Sequence, residues 1–356
     1  MSPASNVSRN GAVRETRQRK GLPTIIDVAE RAGVSKSLVS LVMRGSPQVS
    51  EEKRSAVVRA AEQLGYRPNH VARSLVRRRT NVLGVMVSDL HNLFFAEVLD
   101  GIEAEAFSAQ YRMLINTGSR LPGREREAIE TLLQLRTEGL ILASSVLPST
   151  QVLEAASSVP VVLVARASRW PTVDSVTNDD RAGARLAIDH LVSLGHRRIA
   201  HVDGGRGAGA SARRSGYLIA MRDHGLSDCT VVVRGDFTEE GGASGIEHLL
   251  ANGSRPTAVF VANDLAAVGA LHALDRNGLE VPGDVSVVGY DNTSLAAFGH
   301  IDLTTINQPR WEIGATAVRL LMERVEDGRT DPRHVLLSPN LVVRGTSAPP
   351  SRRLAS

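Results

Sequence analysis

Thr24-Ile25-Ile26-Asp27-Val28-Ala29-Glu30-Arg31-Ala32-Gly33-Val34-Ser35-Lys36-Ser37-Leu38-Val39-Ser40-Leu41-Val42-Met43-Arg44 contains two short helices and the turn between them. Thr24 and Asp27 have the spacing of a capping box, a hydroxyl followed three residues later by a carboxylate, and Ile25, Val28, Ala29 and Ala32 recur on one helical face. Gly33 stops that helix. Ser35 is placed to cap a second one, Lys36 to Arg44, in which Leu38, Val39 and Val42 point inward and Lys36, Ser37, Ser40, Leu41 and Arg44 outward. Ser50 is placed to cap a third helix with Glu51 and Glu52 in its first turn, Val57, Val58, Ala61 and Leu64 inside, and Gly65 at its end. The spacing predicts a helix-turn-helix.

In that geometry the first residues of the second helix reach base edges in the major groove, which favours Lys36 and Ser37 for bases and Arg44 for a phosphate. Leu41 donates no hydrogen bond and suits only a thymine methyl or another apolar edge. Tyr66-Arg67-Pro68-Asn69-His70-Val71-Ala72-Arg73-Ser74-Leu75 follows, a short potential helix capped by Asn69 and trailed by Arg77-Arg78-Arg79. An isolated helix below about 12 residues is marginal in water, so this one is expected to order only with a partner and DNA.

Charge is distributed accordingly. The first 80 residues hold 16 Lys/Arg against 6 Asp/Glu, and the rest 26 against 32, so the overall pI near 9.6 hides a basic head on an acidic body. That layout suits a protein that sets one end on phosphates. Aromatics make up only 3% of the chain, which argues against stacking platforms for single strands. A single cysteine, Cys229, excludes an intrachain disulfide and any cluster of several thiolates around zinc. No apolar run approaches the roughly 20 residues of a membrane span, and residues 1–21 read as a disordered basic tail, so a cytoplasmic protein is expected.

From Asn81 onward apolar runs alternate with amphipathic helices. Val82 to Val87, Arg112 to Ile115, Gly139 to Leu142, Val159 to Val164, Arg198 to Val202, Thr230 to Val233, Thr257 to Val261 and Val285 to Val288 read as buried parallel strands. Phe95 to Ala109 and Arg181 to Leu194 read as helices between them, the latter stopped by Gly195. Eight or more such strands imply two doubly wound sheets, whose ligands sit beyond the strand carboxyl ends, here in a cleft between two lobes. The polar residues there are Ser88-Asp89, Asn178-Asp179-Asp180, Arg213, Asn263-Asp264 and Asp291-Asn292. Asp and Asn at such places also serve as ordinary helix caps. An arginine among amides and carboxylates suits a sugar, and a purine or an organic acid somewhat less well.

These motifs together resemble the lactose-repressor (LacI/GalR) family of transcription regulators, from Thr24 to about Arg344. The matching runs are Asp27-Val28-Ala29 with Ala32-Gly33-Val34-Ser35, Gly65-Tyr66-Arg67-Pro68-Asn69 with Ala72-Arg73-Ser74-Leu75, Phe94-Phe95, Gly195-His196-Arg197-Arg198-Ile199-Ala200, Ala262-Asn263-Asp264, Val288-Gly289-Tyr290-Asp291-Asn292 and Leu303-Thr304-Thr305-Ile306. The resemblance implies a small all-α helix-turn-helix domain plus an α/β two-lobed core like that of periplasmic binding proteins. It implies a homodimer on double-stranded operator DNA, with no cofactor, no metal and no membrane partner, acting as a repressor whose grip is set by a small-molecule effector. DNA contacts are then expected from Thr24, Ser35, Lys36, Ser37, Ser40, Leu41, Arg44, Tyr66, Asn69, His70, Ala72 and Leu75, with Leu75 wedged between base pairs. Effector contacts are expected from Asp89, Phe94, Phe95, Arg213, Asn263, Asp291 and Gln308.

The expected domains are a tail (1–21), the head (22–68), a hinge helix and linker (69–80), the core (81–347) and a tail (348–356). Within the core, the first lobe spans about 81–177 and 308–337, and the second about 178–307 and 338–347. Three departures stand out: Leu41 where the family usually has arginine, His91-Asn92-Leu93-Phe94 where Asn-Pro-Phe is usual, and a second acid in Asn178-Asp179-Asp180. Gly205-Arg206-Gly207-Ala208-Gly209-Ala210 also fits a dinucleotide fingerprint, but the acidic residue that should grip a ribose is not well placed, since Asp236 lies 26 positions beyond Ala210 rather than about 20. A dehydrogenase is therefore disfavoured. A sugar-transport receptor would lack the basic head.

Overall fold

A computed structural model describes residues 23–43, 45–66 and 79–351, in two compact units that divide at residues 78 and 79. Arg44, Asn69, His70, Ala72 and Leu75, with Arg77 and Arg78 of the basic run, lie outside the described residues.

The first unit holds α1 (Ile25–Ala32), α2 (Lys36–Met43) and α3 (Glu51–Leu64). Its capping box is formed: Asp27 N donates to Thr24 Oγ1 at 3.4 Å, and Thr24 N donates to Asp27 Oδ2 at 2.7 Å. Those bonds hold the Asp27 carboxyl below its usual range. Gly33, at φ +64°, ends α1, and Leu38 N donates to Ser35 Oγ at 3.2 Å to start α2. Val28, Val39 and Val57 close the core with Ala29, Val42, Val49, Ala60 and Ala61.

Three expectations need correction here. Ser50 stands at the N-cap of α3 without a side-chain cap bond. The loop before α3 is instead held by Arg54, whose guanidinium donates to the Ser46 carbonyl at 2.6 Å. Val58 is exposed, because the inward row of α3 is Val57, Ala60, Ala61 and Leu64, the i, i+3, i+4, i+7 stripe that Val58 misses by one position. Leu41 is half-buried against the same core, since it stands three residues after Leu38 and at the edge of the α2 apolar arc.

The second unit carries two six-stranded sheets. The first contains β1 (Val82–Val87), β2 (Arg112–Thr117), β3 (Gly139–Ala143), β4 (Val161–Val164), β5 (Val173–Asn178) and β11 (His334–Leu337), in the order β11-β5-β4-β3-β1-β2, all parallel. Leu83, Val85 and Val87 face α4 (Phe94–Ser108) and α11 (Arg310–Val325), whereas Met86 faces α5 (Pro122–Gln134) and α6 (Ser149–Ser158). Burial on both faces explains why β1 reads as an unbroken apolar run.

The second sheet has the order β12-β10-β9-β8-β6-β7. Its strands are β6 (Ile199–Val202), β7 (Val231–Val233), β8 (Ala258–Val261), β9 (Ser286–Asp291), β10 (Thr304–Asn307) and β12 (Asn340–Val342). Four helices cover it: α7 (Asp180–Ser193), α8 (Ala210–Asp223), α9 (Glu239–Ala251) and α10 (Asp264–Arg276). β12 runs antiparallel to β10, an exception to the expected all-parallel pattern. β5, β10, β11 and β12 are strands that the apolar runs did not mark. β4 starts two residues later than expected, beyond Pro160, which has no N–H for a ladder.

The chain passes between the lobes three times: after β5 into α7, after β10 into α11, and from β11 to β12. Each lobe also has one close helix crossing through paired glycines. A Cβ on Gly101 of α4 would stand 2.1 Å from the Trp311 carbonyl oxygen, and one on Gly314 of α11 would stand 2.0 Å from that of Val98. Gly242 and Gly269 repeat the arrangement between α9 and α10, with clearances of 1.8 and 1.9 Å. Backbone cannot yield as a side chain can, so Gly314→Ala should lower stability by about 1–3 kcal/mol or more. In urea the midpoint should drop with the slope unchanged.

Candidate functional site

On the head, Lys36 and Ser37 are exposed at the start of α2, with Ser40 one turn after Lys36 on the same face. Thr24 and Ser35 spend their hydroxyls on helix starts, and Tyr66 packs against the core of the head. Arg79, the last residue of the basic run after the hinge segment, is engaged by the core. Its guanidinium meets Glu326 at 2.6 Å, Glu138 at 3.2 Å and the Tyr111 hydroxyl. The amides of Thr80 and Asn81 also bond to Glu138, so the start of the core is fastened to the first lobe.

Between the lobes, beyond the strand carboxyl ends, lies a cavity of about 1320 Å3. The first lobe contributes Asp89 and Phe95 after β1, Ser144 after β3, and Arg166 after β4. The second contributes the 206–209 loop after β6 and Phe237 after β7, with Asn178-Asp179-Asp180 at the first crossing. Gly205, just before that loop, and Gly209 at its end take φ of +62° and +80°, and Gly207 lies against Phe237. A deeper recess brings together Phe94, Phe95, Arg213, Asp291 and Gln308, five of the seven expected effector contacts. Asp89 lies on the main cleft. Asn263 is drawn into structural bonds: its Oδ1 accepts from Ala266 N at 2.9 Å to cap α10, and its Nδ2 donates to the Phe237 carbonyl at 3.4 Å.

Arg213 is enclosed. Its Nε donates to Asp180 Oδ1 at 2.9 Å, one terminal nitrogen donates to the Ala262 carbonyl at 2.6 Å and lies 3.6 Å from Asp291, and its plane sits 3.7 Å from the centre of the Tyr290 ring. Burial works against its charge, but Asp180 and Asp291 hold it protonated on balance. Gln308 Nε2 donates to Asp291 at 2.6 Å. Arg310, at the start of α11, joins the lobes by bonding to the Asp291 carbonyl and to Glu97. Asn178 donates to the Tyr290 hydroxyl at 2.7 Å, and its buried Oδ1 has no hydrogen-bond partner among the described residues.

Burial raises Asp291 to about 7, Arg213 opposing, and raises Asp264 to about 6. A carboxyl raised in the fold stabilises it while protonated, and that contribution is lost as pH climbs from the ordinary value to the raised one. Asp291→Asn should therefore gain thermal stability relative to wild type between pH 3.8 and about 7 and level off above, as melting curves across pH would register.

Sequence reasoning missed Arg166, Arg310 and the buried Glu125, which accepts bonds from Ser88, Ser145 and Val146 N. Arg166 stood two residues beyond a strand whose end the reading had placed, so the strand-end rule could have found it. Glu125 lies in an ordinary helix and gave no signal. Of the histidines, His201 stacks on Phe260 at 4.7 Å, and His190 and His196 bond to Ser347 and Ala348 of the C-terminal segment.

Residues 24–69 match the family described as bacterial regulatory proteins, lacI family, and residues 188–347 match a periplasmic binding protein-like domain. Catabolite control protein A of Priestia megaterium is 36% identical over 318 residues, covering 88% of this chain and 96% of that protein. The ribose operon repressor of Haemophilus influenzae is 36% identical over 328 residues, covering 91% and 98%. The lac repressor dimer bound to operator and the anti-inducer ONPF superposes with a TM-score of 0.81 at 29% identity, covering 92% of this chain and all of that one. With a helix-turn-helix head, a two-lobed core and relatives matched nearly end to end, the chain belongs to the lacI family of bacterial regulatory proteins and is a DNA-binding transcriptional regulator.

Proposed function

We propose that this regulator is a repressor that binds operator DNA as a homodimer and is controlled by a carbohydrate held in the cleft. The observation that carries the ligand reading is the recess around Arg213: a fixed guanidinium, the Asp180 and Asp291 carboxylates, and an unpartnered Asn178 Oδ1, a mixed donor and acceptor set that suits a ring of hydroxyls. Support for the dimer and for the sugar comes from relatives, one a dimer on operator DNA and another a ribose operon repressor. Among the described residues no helix is long and apolar enough to cross a membrane, which fits a protein working in the cytoplasm.

In this proposal a ligand closing the cleft moves the lobes about the three crossings, and the Arg79 anchor passes the change to the linker. The sugar must bind one of the two forms better than the other. A thermal-shift screen of sugars and nucleobases, followed by operator titration with and without the hit, tests it. A nucleobase hit with silent sugars would replace the carbohydrate. At the head, Lys36→Ala should cost about 1–3 kcal/mol at one contacted base pair and relax preference there, as operator selection would reveal; uniform weakening at every position would assign Lys36 to a phosphate instead.

A further inference from the structure

We propose that the cleft's ligand is negatively charged: a sugar carrying a phosphate or carboxylate group, with its hydroxyls over Arg213 and Asn178 and its anionic group among Arg166, Arg120 and Arg206. This rests on the effector reading of the cleft and narrows its chemistry.

The cleft's acids are already engaged. Asp89 accepts from the His91 amide at 2.9 Å, Asp179 caps α7 through Ala182 N at 3.0 Å, and Asp180 pairs with Arg213. Of the arginines that line the main cavity, only Arg185 has an ion pair among the described residues, with Asp189 and Asp223. Arg120 on the first lobe and Arg181 and Arg206 on the second line the cavity, and none has an ion pair among the described residues. Arg166 is half-buried, and one terminal nitrogen donates to the Ser145 and Leu147 carbonyls at 3.1 and 2.7 Å. Its other nitrogens bond to no described residue. The nearby Glu125 carboxylate is occupied by Ser88, Ser145 and Val146 N.

Charged groups withdrawn from water are ordinarily paired, and a guanidinium with free N–H groups matches a carboxylate or phosphate in a two-pronged bond. Burial lowers the Arg166 pKa, so this charge stands in the fold at a cost that an anion would offset. The wall around these arginines is held in an unusual shape. Arg120, three residues beyond β2, and Ser144 and Ala165, directly after the adjacent strands β3 and β4, have φ of +59°, +56° and +59°, a conformation that costs a non-glycine residue on the order of 1–3 kcal/mol. With both lobes presenting unpaired positive charge across a cleft, field lines concentrate on the space between them.

The test uses the full chain without DNA. Calorimetry compares glucose with glucose-6-phosphate and gluconate, and ribose with its phosphate ester, at low and high salt. Inorganic phosphate is a separate probe by thermal shift, against chloride at equal ionic strength. At least one anionic member should bind roughly tenfold more tightly than its neutral parent, with the gap narrowing in high salt. Whichever of glucose-6-phosphate and gluconate prevails identifies the anionic group. Arg120→Gln and Arg206→Gln, on opposite lobes of the cleft, should each shrink the gap several-fold and reduce the phosphate-induced rise in Tm; Arg166→Lys should retain part of both.

Neutral parents that bind as well as their anions, or a gap unchanged in the Arg120→Gln and Arg206→Gln variants, would overturn the inference and leave the carbohydrate reading standing. An arginine-dependent response to phosphate with every sugar silent would do the reverse. Silence from sugars, their anions and phosphate alike would remove both.

Discussion

Arg213→Ala should abolish the ligand response and, in the same stroke, lower the stability of the second lobe by about 3–5 kcal/mol. The guanidinium is buried between Asp180, on the cleft wall, and the buried Asp291, so its removal leaves both carboxylates without their cation. Protonation of Asp291, which burial raises to about 7 even beside Arg213, would limit that loss, so the deficit should grow as pH rises above about 7. Arg213→Lys should restore part of the stability but not the ligand response, because an ammonium cannot reproduce the simultaneous bonds to Asp180 and the Ala262 carbonyl. Urea titration reads the first quantity and a ligand-induced thermal shift the second. A midpoint equal to wild type in Arg213→Ala would mean the two acids find other partners, and the enclosure described above would carry no energetic weight.

Asp174→Ala should produce a loss of similar size in the first lobe. Asp174 lies fully buried on β5 and receives a two-pronged bond from Arg324 at 2.7 and 2.8 Å, a bond from Arg329 at 2.6 Å and the backbone N–H of Arg333 at 2.8 Å. It thereby ties the end of α11 and the loop before β11 to the sheet. Burial alone would raise its carboxyl, but the arginines outweigh that and hold it below the usual range. Stability from such a group is present above the ordinary carboxylate value and is lost as pH falls through the depressed one. At neutral pH the alanine variant should lose about 3–5 kcal/mol, and its deficit should fade in strong acid. Asp174→Asn should fall between the two, since an amide oxygen still accepts hydrogen bonds. A deficit that is constant across pH would point to lost packing instead of lost charge.

What could be read from the chain beforehand followed local physics. The capping box at Thr24 and Asp27, the glycine stops at 33 and 65, and the apolar strands of both sheets depend on neighbours close in sequence, and all are present. What stayed hidden depends on partners distant in sequence. β5 contains Asp174 and Ser175, which look like loop residues until Arg324 and His334, about 150 positions on, come to meet them. β11 and β12 are short, half-exposed edge strands and carry no continuous apolar run. The cleft residues were largely located by the rule that ligands sit at strand ends, but their commitments were not legible. Arg213 reads from sequence as a side chain offered to a ligand, and Asn263 likewise; in the fold the first is held by two aspartates and the second caps a helix. Leu41 and Val58 were assigned to the wrong sides because each lies one step from the boundary of an apolar arc, where a wheel cannot resolve the outcome.

The three passages between lobes have a consequence during synthesis. Neither lobe is finished until the ribosome has nearly reached the end of the message: the first waits for α11 and β11, and the second for β12. A nascent chain arrested before residue 310 already carries a whole head, yet Val98 and Ile102 on α4 would face water for want of the helix that covers them. Such fragments expose the surface that chaperones and proteases recognise. Prematurely terminated copies would thus be cleared before their intact heads could occupy the genome without a sensor attached.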